Sequence, residues 1–204
     1  MIDLARDGDL WIVTLNRPKK ANSLTSEMLS RLIEIADDAA GEAKVFVLTG
    51  AGKVFSAGAD LDEARAGLAT SPLWEDLSGK IAALPSLTIA ALNGTLAGGA
   101  FGMALACDIR LSDPSAKFFY PVMKLGFLPQ PSDPVRLSTL IGPARAKMIL
   151  MAGQKITAEE ALSWGLVDRL VPATDQKEAV VELSLAALEA VPAHIAGIKA
   201  LIQP

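Results

Sequence analysis

Between Lys80 and Asp108 the chain carries no charged residue, a run extending from Ile81 to Cys107. A run of that length has to be withdrawn from water, and it exceeds the ~20 apolar residues with which a helix crosses a bilayer. Pro85, the Asn93-Gly94 turn signal and the Gly98-Gly99 pair interrupt it, so it cannot be one membrane helix. What remains is a short buried strand, Leu87–Leu92, and a short buried helix, Gly98–Cys107. The run reads as the inside of a globular domain, and the rest of the chain must supply the layers around it.

Those layers alternate. Runs rich in β-branched residues stand at Leu10–Leu15, Lys44–Thr49 and Leu87–Leu92, with shorter ones at Ile109–Leu111 and Lys117–Phe119. Helical patterns separate them. Thr25–Ala40 places Met28, Leu29, Leu32, Ile33, Ile35 and Ala36 on one face, with Glu27 in its first turn. Arg136–Ala152 is a second helix, interrupted at Gly142-Pro143. Thr157-Ala158-Glu159-Glu160 is a capping box opening a third, which ends near Gly165. Asp175–Ala190 is a fourth, stopped by Pro192, and from Pro192 a further helix begins. Strands alternating with helices define an α/β domain with buried strands.

Composition removes several classes of function. A chain of 204 residues buries enough core to need no disulfide or metal staple. Its net charge of -4 argues against a nucleic-acid partner, which calls for a basic surplus on one face. One cysteine, Cys107, and one histidine, His194, exclude an internal disulfide and Cys-His metal spacing, and His194 reads as a surface or structural residue. The N-terminus, with Asp3, Arg6, Asp7 and Asp9, has no apolar stretch of signal-peptide length. A cytoplasmic protein without a membrane segment is expected.

The glycines carry the functional signal. Gly50-Ala51-Gly52-Lys53 is not a phosphate loop, because Val54 stands where Ser or Thr would hold magnesium and the leading glycine is missing. Gly98–Gly102 does not fit a dinucleotide fingerprint either. In LAGGAFGMALACD, however, two glycines open an apolar helix directly after a buried strand and turn. The first amides of a helix have no intrahelical acceptor and lie at its positive end, so they can hold a carboxylate, a phosphate or a developing oxyanion. Phe55-Ser56-Ala57-Gly58-Ala59-Asp60-Leu61, which follows the KVFVLTG strand, could do the same. Equally, these glycines could serve only tight helix–strand packing.

Four motifs in order resolve that choice: Leu15-Asn16-Arg17-Pro18 with Asn22, VLTGAGKVFSAGADL, ALNGTLAGGAFGMALACDIR, and RLSTLIGPARAKMILMAGQKITAEEALSWGLVDRLVP. Together they resemble the crotonase superfamily, the enoyl-CoA hydratase/isomerase family, over nearly the whole chain. The resemblance implies a crotonase-like spiral of ββα units over residues 1–191, with 192–204 as the start of a truncated C-terminal helical segment. It also implies assembly as homotrimers or hexamers and an acyl-CoA thioester as the partner, so coenzyme A belongs to the substrate and no separate cofactor is expected. By position, the thioester oxygen would be held by the amides of Ala59 and Gly99, an oxyanion hole. The coenzyme would lie along Lys19, Lys20, Ala21 and Ala57, with Lys53 near its phosphates.

Departures from the family pattern bear on the reaction. The two glutamates of hydratases would stand at Gly102 and Val122, so both are missing, and efficient hydration is not expected. Gln130 occupies the position of the aspartate used by some isomerases, and an amide is no base. Asp133, in PQPSDP, could take that duty if the loop is shaped differently, or be a turn residue before Pro134. Asp62, Glu63, Glu75 and Asp76 fall in the segment that the resemblance places near the acyl pocket, with helix-surface charge as the plainer reading. Tyr120 reads as a partly buried structural phenol, and Asp60 as a structural hydrogen-bonding group. The expectation is an enzyme that stabilises a thioester enolate, more isomerase than hydratase. Thioester hydrolysis, decarboxylation and a non-catalytic acyl-CoA-binding scaffold are the alternatives.

Overall fold

The structure, a computed structural model, describes residues 1–202. β1 (Ile2–Asp7) and β2 (Leu10–Leu15) form a hairpin that turns at Gly8, whose φ of +57° is left-handed. Charge hides β1 from the sequence reading, yet charge suits an edge strand because it discourages pairing with other chains. A 3-10 turn at Pro18–Lys20 leads to α1 (Ser26–Glu42), capped where Thr25 Oγ1 accepts from the Met28 amide.

Three units then repeat one move. In the first, β3 (Val45–Gly50) is followed by β4 (Val54–Ser56), α2 (Leu61–Arg65) and α3 (Leu73–Ala83). In the second, β5 (Leu87–Leu92) is followed by β6 (Thr95–Ala97) and α4 (Phe101–Leu105). In the third, β7 (Ile109–Ser112) is followed by β8 (Lys117–Phe119), α5 (Val122–Leu125) and α6 (Asp133–Leu150). The chain closes with β9 (Ile156–Thr157), α7 (Ala158–Trp164), β10 (Arg169–Leu170), α8 (Gln176–Glu189) and α9 (Pro192–Ile202).

The first strand of each unit enters a six-stranded sheet, in the order β1-β2-β3-β5-β7-β10, parallel from β2 onward. The second strand enters a four-stranded sheet, β4-β6-β8-β9. This is the spiral of ββα units implied by the motifs. The inner strands β3 and β5 are buried on both faces, which is why they read as unbroken apolar runs. Phe46, Leu48, Ala90 and Leu92 face the main core with α1 and α3, whereas Val45, Val47, Ile89 and Ala91 pack toward Val180 of α8. At the far end Lys199 of α9 donates to the Ser86 carbonyl at 3.1 Å and to Asp108 at 2.9 Å. The helix expected from 192 therefore forms, while residues 203 and 204 lie outside the described residues.

Local differences from the sequence reading have simple causes. β4 and β6 are three residues each, too short for a periodicity to show. α6 starts at Asp133 rather than Arg136, because Pro134 is compatible with a first helical turn. Gly142, at φ 80° and ψ 157°, breaks that helix where Gly142-Pro143 predicts a break. The capping box at Thr157 and Glu160 is present, and Gly165 ends α7 in the left-handed conformation.

The spiral depends on close turns between its sheets. A Cβ at Gly94, between β5 and β6, would run into the Lys53 carbonyl, with the carbonyl carbon 2.7 Å away. Gly94→Ala is therefore expected to destabilise the protein by about 1–3 kcal/mol. Gly41→Ala, inside α1 with nothing within 4 Å of the added carbon, should instead stabilise it by about 0.5–1 kcal/mol. Urea unfolding of the two variants beside the parent checks both signs.

Candidate active site

The adjacent parallel strands β4 and β6 end side by side, Ser56 opposite Leu96, and deliver the two glycine-bearing segments to one place. Gly58 has φ +90° and Gly98 has φ +58°, both left-handed. A Cβ on Gly58 would sit 3.0 Å from the Ala97 carbonyl, 3.3 Å from Gly98 Cα and 3.5 Å from the Gly99 nitrogen. The two backbones touch, and glycine is what permits it.

Two amides are left over at this contact. Leu24 donates to the Gly58 carbonyl at 2.8 Å, and the Asp60 amide donates to the Leu24 carbonyl at 2.8 Å. In that parallel bridge the amide of Ala59, between them, points away from Leu24. Gly99 stands in the 3-10 turn Gly98–Ala100 that opens α4, where no helical acceptor exists for its amide. The Trp74 ring of α3 lies flat against Gly99, with three ring carbons 3.2–3.3 Å from a Cβ built there. Its indole nitrogen is fixed by the Leu68 carbonyl at 2.8 Å.

A buried polar hub sets the position of the Ala59 segment. Asn22 is wholly buried and has a left-handed φ of 51°. Its Nδ2 donates to the carbonyls of Ala51 at 2.9 Å and Val54 at 2.7 Å, and its Oδ1 accepts from the Arg17 amide at 2.8 Å. Arg17 donates to Asp60 at 2.7 Å and to the Ser23 hydroxyl at 2.9 Å. Asp60 also accepts from the Asp62 amide at 3.1 Å, capping α2. The Arg17 hydrogen bond holds the Asp60 carboxyl below its ordinary range.

The same hub gathers the residues expected along coenzyme A. Ala57 donates its amide to the Ala21 carbonyl at 3.0 Å, and a Cβ on Gly52 would lie 3.1 Å from the Pro18 ring. Lys19, Lys20 and Lys53 are exposed around this junction, and among the described residues none of them joins an ion pair.

Asp133 enters from the other side. It is 1% exposed, at the first residue of α6. Its Oδ2 accepts from the Tyr120 hydroxyl at 2.9 Å, and its Oδ1 has no partner. That free oxygen is 2.9 Å from where a Cβ would stand on Gly102, with Ser78 Cβ at 3.5 Å. The carboxyl thus fills the space that a side chain at position 102 would occupy. Burial pushes Asp133 up to about 7, against the pull of the Tyr120 hydroxyl and Arg136, with the Glu75 charge adding to the rise. Burial and Asp133 together raise Tyr120 above the usual phenol range, so it stays protonated.

Other acidic candidates are engaged elsewhere. Glu63 accepts from the Ser26 amide at 2.7 Å and its hydroxyl at 2.6 Å, capping α1. Asp62 pairs with Arg65 on the surface, and Asp76 is exposed. Glu75 is not simple surface charge, since it accepts from both the amide and the hydroxyl of Ser132. The sequence reading missed α3, whose signal is Leu73, Trp74, Leu77 and Ile81 at helical spacing. Gln130 is buried and donates to the Ala69 carbonyl at 3.3 Å, and Val122 is buried. His194 is exposed, and burial pushes the Cys107 thiol up to about 12. Among the described residues no cluster could hold a metal ion, and no single helix is long and apolar enough to cross a membrane.

Comparison with known proteins agrees with the fold and motifs. The family described as enoyl-CoA hydratase/isomerase matches residues 6–203. A probable enoyl-CoA hydratase of Mycobacterium tuberculosis is 36% identical over 175 residues, which are 83% of this chain and 68% of the relative. The carnitinyl-CoA dehydratase of Salmonella typhimurium is 36% identical over 209 residues, 97% of this chain and 78% of the relative. The crystal structure of an enoyl-CoA hydratase from Bacillus anthracis superposes with a TM-score of 0.91 at 33% identity, over 98% of this chain and 81% of that one. Pseudomonas aeruginosa DspI gives 0.91 at 31%, over 99% and 86%. The chain belongs to the enoyl-CoA hydratase/isomerase family.

The buried Asp133 has a thermodynamic signature. Its proton affinity is higher folded than unfolded, where an aspartate titrates near 3.9. Between about pH 4 and 7 the folded protein therefore holds the extra proton, and stability falls as pH rises through that window. The fall should amount to a few kcal/mol in total. Urea unfolding from pH 5 to 8 should show this slope in the parent and a much flatter one in Asp133→Asn.

Proposed function

We propose that this protein is an acyl-CoA isomerase that shifts a carbon–carbon double bond through a thioester enolate. The supporting observation is the unpartnered Asp133 oxygen, 2.9 Å from where a Cβ would stand on Gly102. In this reading the thioester oxygen accepts from the amides of Ala59 and Gly99, and the coenzyme follows the Lys19–Ala21, Lys53 and Ala57 surface.

The reaction needs one proton carrier. With a 3-enoyl thioester, Asp133 Oδ1 takes the C2 proton and the C–H electron pair becomes the C1–C2 π bond of a dienolate. Negative charge on the thioester oxygen is then held by two preorganised donors, each typically worth about 3–4 kcal/mol. The same carboxyl returns the proton to C4, the double bond settles between C2 and C3, and the thioester carbonyl re-forms. Atoms and charge balance without water or a second acid. A group titrating near neutrality can both accept and return a proton, which makes its raised proton affinity useful here. Tyr120 orients the carboxyl through its other oxygen. Exposed Leu125, Phe127 and Leu128, in and just after α5, give a homotrimer or hexamer an apolar surface to cover.

Mass spectrometry of 3-enoyl, crotonyl, saturated, 3-hydroxy and malonyl-type thioesters incubated in heavy water tests the proposal. Conversion of the 3-enoyl to the 2-enoyl thioester is expected, with deuterium at C4 only in the fraction of turnovers in which the Asp133 proton exchanges with solvent before it is returned. Asp133→Asn should lower kcat by about 100-fold or more with little change in KM. Efficient hydration of crotonyl-CoA, or full turnover by Asp133→Asn, would overturn it. Thioesters that bind and return unchanged would make the protein a non-catalytic acyl-CoA binder.

A further inference from the structure

α3 borders three parts of the candidate site. Trp74 covers Gly99, Ser78 borders Gly102, and Glu75 reaches the start of α6. The start of α6 needs help. Its first amides have no helical acceptors, and the side chain of Ser132, at the cap position, makes no hydrogen bond to its own helix. The Ser132 hydroxyl turns instead to Glu75 Oε1, while its amide donates to Glu75 Oε2 at 3.2 Å. One turn further on, Arg136 donates to the Ser78 hydroxyl at 2.9 Å. Asp133 lies between these two ties, so both of its flanks are fixed to α3.

We propose that Glu75 is the positioning residue of this site: through Ser132 it seats Asp133 against Gly102, and it keeps a second negative charge beside that carboxyl. The inference rests on Asp133 being the proton carrier. The charge and the tether have separable consequences. The polar groups facing Asp133 are Tyr120 from the segment after β8, Arg136 from α6 itself and Glu75 from α3. Tyr120 and Arg136 stabilise the carboxylate, whereas burial and Glu75 oppose it. A carboxylate near a helix start is itself favourable, which suits Glu75 to the tie.

Glu75→Gln removes the charge and keeps an oxygen acceptor for Ser132. Glu75→Ala removes both. Carbon-13 NMR of the Asp133 carboxyl, assigned by its loss in Asp133→Asn, reads the first effect without any turnover. The midpoint of its titration should fall by about 0.5–1 pH unit in Glu75→Gln and rise in Arg136→Gln. The acidic limb of the kcat profile should move in step. Glu75→Ala should lower kcat by about 10-fold or more at unchanged KM, and Glu75→Gln should restore much of it at the new optimum. If Glu75→Ala does not fold, Glu75→Gln carries the test alone through the titration.

An Asp133 midpoint that does not move in Glu75→Gln would overturn the inference, whatever the activity. A parent protein inert toward every thioester would overturn the isomerase reading instead, and a moved midpoint in that protein would still uphold the role of Glu75.

Discussion

The site depends on two backbones touching where Gly58 meets Ala97, Gly98 and Gly99. Everything around that contact serves to bring it about or to hold it. The β4–β6 pair aligns the two segments, and the Leu24–Ala59 bridge leaves one amide facing away from its neighbour strand. The opening of α4 leaves another unpaired. A donor pair made of backbone cannot rotate away as side chains can, so its orientation is settled at folding. The cost is local strain, with Ala21 and Asn22 both at left-handed φ without being glycine. Asn22 offsets it by spending all its hydrogen-bonding groups on the two loops it joins.

Asp133 is the opposite kind of element, a single side chain in a place hostile to its charge. Burial without a full set of partners raises its proton affinity and lowers stability at neutral pH. A residue selected for stability alone would be an amide or an apolar group. The proposed proton transfer gives its free oxygen something to do. Gly102 fits that account, because any side chain there would displace the carboxyl.

How much of this the sequence disclosed follows from the range of each interaction. The long strands and α1 were legible because apolar residues repeat on a fixed period, and the capping box at Thr157 because its pattern is local. The family motifs identified the segments of Ala59 and Gly99, and the structure puts them in contact. β1 was hidden by its edge charges, and β4 and β6 by their shortness. Asp133 stood out as a candidate only because Gln130 could not act. That its oxygen faces Gly102 is a contact across 31 positions of chain, which no local pattern encodes. Glu75 was harder still: Glu75-Asp76 looks like two surface charges, and only the crossing of α3 over the start of α6 separates their roles.

The acids near the site are mostly committed to partners of their own. Adding water to a double bond requires one group to activate the water and another to protonate carbon. Glu63 is committed to the start of α1, and Glu75 to the start of α6. Tyr120 is held protonated and gives its hydrogen to Asp133, so it is no base. Gly102 and Val122 bring no ionisable group. The proposed isomerisation asks for one carboxyl only, Asp133, which takes a proton from one carbon and returns one to another, with nothing consumed and nothing left over.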